Sequence, residues 1–137
     1  MIFVDTGAWA ALTNERDGFH KAALAVFHRI ATGTFGKMVT TDYVLDETYT
    51  LLRMKEGFEA VDSLATRLDS TPHVRLVWID EGQFRRALAL MRERRDKRWS
   101  LTDCTSFIAM EDLGIRDAFA FDPNFTEAGF SAEGIPK

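Results

Sequence analysis

The sequence predicts an α/β protein, a three-layer α/β/α architecture around a central, mostly parallel sheet of four to five strands. Short runs rich in apolar and β-branched residues occur one at a time, and between them lie segments whose apolar residues recur at helical spacing. Strands met singly, with helices between, pair in parallel through crossover connections. Scale agrees: 137 residues, 46% hydrophobic and 28% charged, suit one domain spanning 1–137. Such a chain buries roughly two-thirds of its unfolded surface.

Ile2–Val4 reads as a short buried strand, and Thr6–Leu12 as the helix after it, capped by Asp5 or Thr6. Asp17-Gly18 marks a turn. Phe19, Ala22, Ala23, Val26, Phe27 and Ile30 then recur at helical spacing until Gly33. Lys37–Thr41 is the second strand and Asp42–Lys55 a helix, with Gly57 separating it from a further helix over Phe58–Leu68. Val74–Ile79 (VRLVWI) has the branched and aromatic content of a central strand, which assigns Trp78 to the core. Asp80 to about Lys97 reads as a long basic helix, and Thr102–Leu113 as a helix ending at Gly114. Ala118–Phe121 is the last strand, and Asp122-Pro123 leads into a short helix.

Composition narrows the class of protein. The lone cysteine, Cys104, excludes an intramolecular disulfide and fits a reducing compartment. No apolar stretch approaches the ~20 residues of a membrane span, and Met1 is not followed by a secretory-type leader, so a cytoplasmic protein is expected. The net charge of −4 argues against indiscriminate polyanion binding. Yet seven of the 17 basic residues fall between Arg85 and Arg98, opposed there only by Glu93 and Asp96.

Four acids stand apart because of their neighbours. Asp5 and Asp122 each end an apolar strand, where ligands of parallel sheets collect. Glu47, in TTDYVLDETYTLL, has Tyr43 and Val44 one turn before it and Leu51 one turn after, which places it beside or within an apolar face. A carboxylate there needs a partner. Asp103, in SLTDCTSFIAM, opens a helix, where Ser100 three residues earlier resembles the other half of a capping box. Each acid alone also has a structural explanation: a cap, a turn, or a pair with an arginine.

Taken in order, VDTGAW, Glu47 in its helix, SLTDCTSFIAM and AFAFDPNF resemble the PIN-domain ribonucleases, and among these the small VapC-type toxins of prokaryotic toxin–antitoxin pairs. The resemblance extends from Met1 to about Phe130. It implies a metal-dependent endoribonuclease whose acids Asp5, Glu47, Asp103 and Asp122 bind Mg²⁺ or Mn²⁺ and hydrolyse RNA. It also implies hydroxyls at Thr6 and Thr102 beside the first and third acids, and a supporting role for Asn124. A small antitoxin with an arginine-bearing tail and a homodimer follow as expected partners. Hard divalent cations prefer such oxygen ligands, and they can activate water and neutralise charge on the leaving oxygen without a protein nucleophile. Without metal, converging carboxylates repel one another, and at least one should have a raised pKa.

Phosphate contact requires cations, and Arg85, Arg86, Arg92, Arg95 and Arg98 are the candidates, against the alternative of a solvated helix paired with nearby acids. His20, His28 and His73 lack ligand spacing, and Cys104 reads as a small buried hydrophobe. Trp9 and Trp99 could stack on bases. Two other functions compete. A Mg-dependent phosphatase of the haloacid-dehalogenase type wants Asp-x-Asp at the first strand, where Gly7 stands instead, and a phosphotransfer receiver wants adjacent early acids and a late lysine. A non-catalytic acidic pocket that docks a protein is the remaining alternative.

Overall fold

The computed structural model describes residues 1–135. In chain order the elements are β1 (Ile2–Val4), α1 (Thr6–Thr13), α2 (His20–Ala31), β2 (Met38–Thr41), α3 (Asp42–Lys55), α4 (Phe58–Ser70) and β3 (Val74–Val77). They continue with α5 (Glu81–Glu93), α6 (Leu101–Leu113), β4 (Asp117–Phe119), α7 (Asn124–Glu127) and β5 (Ser131–Glu133). The strands form a five-stranded sheet in the order β3-β2-β1-β4-β5, every pair parallel. The chain steps outward from β1 to β3 and then returns to β4, so the order reverses between β1 and β4. A crevice opens at such a reversal, beyond the carboxyl ends of the two strands.

The middle of the sheet is the core. Ile2, Phe3, Val4, Val39, Ala118 and Phe119 are fully buried, and α6 contributes an unbroken buried run from Asp103 to Met110. That run explains why α6 lacks an amphipathic pattern: it is covered on every side.

Four expectations need correction. The VRLVWI segment is an edge strand, not a central one; Val74 and Val77 pack partly on the core while Arg75 and Leu76 are exposed. Trp78 follows the strand and is 71% exposed, so it is not core. Branched and aromatic content fits any half-buried pleated surface, and it does not separate an edge from a centre. Ala118–Phe121 is likewise not the last strand, because Ser-Ala-Glu at 131–133 adds β5 in parallel to β4. Its pairing comes from tertiary context, since its residues have little strand preference. Finally, α5 ends at Glu93, and the basic residues from Arg94 to Arg98 lie in the turn leading to α6.

Trp9 and Trp99 are both buried, which removes them as free stacking platforms. The Trp9 indole N–H donates to Thr40 Oγ1 (3.3 Å), whose hydroxyl donates to the Val4 carbonyl (3.1 Å). This chain of bonds fixes the end of β1 immediately before Asp5.

Candidate active site

Three of the four singled-out acids meet at the crevice. Asp5 extends the β1–β4 pairing, its N–H donating to the Phe119 carbonyl (3.1 Å). It holds the N-cap position of α1, yet its carboxylate caps nothing, and its backbone carbonyl receives the N–H groups of Ala8 and Trp9 (both 3.1 Å). The capping role read from sequence is therefore absent, and the side chain is committed to the crevice. Asp5 is only 5% exposed.

Asp103 closes a capping box and also faces the other two acids. Its N–H donates to Ser100 Oγ (3.0 Å) and its Oδ2 accepts from the Ser100 N–H (2.9 Å), which completes a capping box. The same Oδ2 accepts from Asn124 Nδ2 (3.0 Å), so both bonds fall on one oxygen and Oδ1 stays available. Asp122, partly exposed beyond β4, accepts the Asn124 N–H at Oδ1 (3.0 Å). Asn124 thus ties the third and fourth acids together through its side chain and backbone. One carboxylate oxygen from each of Asp5, Asp103 and Asp122 lies within 4.8 Å of the others.

Glu47 is not part of that trio. The inward face of α3 is Val44, Leu45, Thr48 and Leu52, and Glu47 falls on the flank, exposed, beside the apolar face rather than within it. Its charge still reaches the crevice, helping to raise the pKa of Asp5 and of Asp103. Thr6 also differs from expectation. Its hydroxyl is buried, donates to the Val44 carbonyl (3.3 Å) and accepts from Thr48 Oγ1 (3.3 Å), so it clamps α1 to α3. Toward Asp5 it offers its backbone N–H instead. Thr102 receives the hydroxyls of Thr105 and Ser106 at its carbonyl (both 2.8 Å) and supports the first turn of α6. The Thr6–Thr48–Val44 clamp has no sequence signal beyond threonines scattered in a helix and beside a strand.

The electrostatics follow from burial. Asp5 is pushed up to about 8, first by loss of water and then by the negative charges of Asp122, Asp103 and Glu47. Asp103 is also raised, chiefly by burial and then by Asp122 and Glu47, against the lowering effect of its bonds to Ser100. Among the described residues no lysine or arginine pairs with any of the three. An anionic cluster of this kind must either keep a proton or take a cation. Its donors are all oxygen, the set that hard divalent ions prefer and that thiol- or imidazole-seeking metals do not. The residues therefore fit Mg²⁺ or Mn²⁺.

Residues 2–131 match the PIN domain family. The chain is a PIN-domain protein. The 23S rRNA-specific endonuclease VapC20 of Mycobacterium tuberculosis is 37% identical over 131 residues, 95% of each chain. A VapC ribonuclease of Archaeoglobus fulgidus is 26% identical over 90% of this chain and 78% of its own. The crystal structure of VapC20, described as a toxin that cleaves the sarcin–ricin loop, superposes with a TM-score of 0.86 at 33% identity, covering 95% of this chain and 96% of that one. FitAcB from Neisseria gonorrhoeae shares the fold at TM-score 0.67 and 13% identity, over 96% of each chain. Within its family this PIN domain is thus a VapC-type nuclease.

The basic stretch of this PIN domain divides in two. Arg85 pairs with Glu81 (2.9 Å) and Arg86 with Asp112 (2.8 Å), ion pairs at the protein surface. Arg94 bonds Asp96 and lies over Trp99, and Lys97 reaches Glu127 (3.4 Å). Arg92, Arg95 and Arg98 are exposed and have no acidic partner among the described residues.

Proposed function

We propose that Asp5, Asp103 and Asp122 form the hydrolytic centre of a cytoplasmic endoribonuclease, that they hold Mg²⁺ or Mn²⁺, and that 23S rRNA is the substrate. The observation that carries this is the trio itself: three carboxylate oxygens mutually within 4.8 Å, two of the residues buried, and no basic side chain to neutralise them among the described residues. A divalent cation bound there supplies positive charge against the phosphate and an acidified water as nucleophile. The chain's own residues do the positioning. Strand β1 fixes the direction of Asp5, the capping box fixes Asp103, and Asn124 locks Asp103 and Asp122 into one arrangement. Glu47, exposed and outside the trio, is proposed to orient a water or an outer ligand. The substrate class rests on VapC20, whose name states it.

The test is purified protein incubated with 23S rRNA, with Mn²⁺ or Mg²⁺ and with chelator, and the fragment ends sequenced. Cation-dependent cutting at one position, lost in Asp103→Asn, is the expected result. Uniform degradation, or cutting unaffected by chelator, contradicts the proposal. Asn124→Ala is expected to lower kcat ~10-fold or more and to weaken Mn²⁺ binding with little change in Tm, as seen when groups orienting metal ligands are removed. Steady-state kinetics and calorimetry on the same preparation check it.

Arg92, Arg95 and Arg98 are the proposed phosphate contacts. Replacing any one by Ala should reduce the slope of log K against log salt by about 0.7 to 0.9, the effect of leaving one phosphate without its cation. Filter binding across a salt series reads this, and Arg86→Ala serves as the control with an unchanged slope.

The proposed partners are a cognate antitoxin and a second copy of the chain. An apolar cavity of about 470 Å³ lies between α1, α2, α4 and the starts of β2 and β3, lined by Trp9, Leu24, Phe27, Ile30 and Leu64. None of the catalytic trio lines it. Leu24 and Phe27 are exposed there, a surface suited to an apolar helix face.

A further inference from the structure

The three acids of the trio come from three segments of the chain, and each segment also carries a buried phenylalanine. Phe3 lies two residues before Asp5 in extended backbone, hence on the same face of the sheet. Phe107 lies four residues after Asp103 on α6, one turn along the same face of that helix. Phe125 follows Asn124 on α7, three residues beyond Asp122. Phe3 and Phe125 are fully closed to water and Phe107 is 2% exposed. The Phe125 ring meets both of the others. It lies at a near right angle to Phe107 (centroids 5.1 Å, 87°) and tilted against Phe3 (6.1 Å, 35°).

The polar ties of the site do not join all three acids. Backbone pairing holds Asp5 to β4, and Asn124 holds Asp103 to Asp122, yet among the described residues no side-chain hydrogen bond links Asp5 to either of the other two. The Phe125 ring spans that gap by packing β1 against α6. We propose that Phe125 is a positioning residue of the hydrolytic centre: wedged between Phe3 and Phe107, its ring sets the separation of the three segments and so how closely their carboxylates converge. This rests on the cation-dependent ribonuclease reading above. A close-packed interior transmits such a contact stiffly. The ring has a fixed width, whereas an unbranched chain such as Met adapts to its surroundings. Fixed spacing matters most for a small ion. Mg²⁺ demands near-ideal octahedral geometry at ~2.0–2.1 Å, while Ca²⁺ accepts oxygens at ~2.3–2.6 Å in flexible arrangements. Loosening the trio therefore penalises Mg²⁺ more than Ca²⁺.

The experiment compares wild type with Phe125→Leu, Phe125→Met and, as a control for lost stability, Leu52→Ala, at a 2%-exposed position near the far end of α3. Measured on the full chain are Tm and RNA affinity in chelator, calorimetric Kd for Mg²⁺ and for Ca²⁺, and kcat at saturating Mg²⁺. Both Phe125 variants are expected to bind Mg²⁺ ~10-fold or more weakly and Ca²⁺ no more than about threefold more weakly, with kcat ~10-fold lower and RNA affinity within about twofold of wild type. Leu52→Ala should lose at least as much Tm, as cavity-forming substitutions do, yet keep wild-type Mg²⁺ affinity and selectivity. A Mg²⁺ affinity that follows Tm across all variants, Leu52→Ala included, assigns Phe125 to stability alone and overturns the proposal. So does equal weakening toward both ions. If Phe125→Leu does not fold, Phe125→Met, closer to the original shape and volume, decides by the same criteria. If wild type binds neither ion, or cuts RNA equally well in chelator, the hydrolase reading falls first. If wild type binds Mg²⁺ and cuts, and the Phe125 variants match it, only the positioning role falls.

Discussion

Asp5→Asn is expected to abolish cleavage and, in chelator at pH 8, to raise Tm by at least about 4 °C, the shift that ~1 kcal/mol produces in a domain of this size. Most substitutions of a buried, structurally fixed residue destabilise. The sign reverses here because Asp5 is buried among like charges and its pKa in the folded protein is about 8. The folded state holds the Asp5 proton more tightly than the unfolded chain, whose Asp5 ionises near pH 4. The contribution of this group to stability is therefore fully present below pH 4 and is lost as pH rises toward 8. The gain from Asn should be small at pH 5, grow through pH 7, and level off above pH 8. Scanning calorimetry of both proteins in chelator across that range gives the difference directly, and subtraction removes the surface carboxylates common to both. Asp103→Asn shares the loss of activity but not the gain in stability, because Asp103 also closes the capping box and receives Asn124. A destabilised Asp5→Asn would mean that the carboxylate has an unseen stabilising partner.

The second large effect is the response to cation. Mn²⁺ at about one hundred times its Kd should stabilise the fold by ~2.7 kcal/mol, roughly 10 °C in Tm. Because the ion binds the ionised trio, the increment should grow from pH 5 to pH 8, where the metal-free protein is weakest. Thermal melts with and without Mn²⁺ at each pH test this, and in Asp5→Asn the increment should all but vanish. An equal increment at every pH, or one retained in the variant, would point to adventitious surface binding.

How much of the fold and site is legible in the sequence depends on which physical signal each feature leaves. Strand β1 ending at Asp5, and helix α6 opening with Ser100 and Asp103, are legible because an apolar run stopping at a carboxylate marks a strand end and a serine three residues before an acid marks a helix start, although each acid alone also reads as a cap. The crevice follows from topology once single strands alternate with helices. Periodicity leaves Glu47 either beside or within the apolar face, because a helical wheel gives an angle and a residue on the flank of the apolar stripe can turn either way until its neighbours are known. Trp78 is misplaced because composition cannot tell an edge strand from a central one. Strand β5 is invisible in Ser-Ala-Glu, since its pairing with β4 is imposed by the rest of the fold. The pairing of Arg85 with Glu81 follows from their i,i+4 spacing, whereas that of Arg86 leaves no sequence signal, because its partner Asp112 is on a different helix.

The central claim is that the trio is a cation site kept partly protonated when empty. Calorimetric titration of Mn²⁺ at pH 7 in two buffers of different ionisation enthalpy measures it most directly. Binding with release of about one proton per ion is expected, with loss of both in Asp5→Asn. Binding with no proton released, or undiminished in that variant, would contradict it.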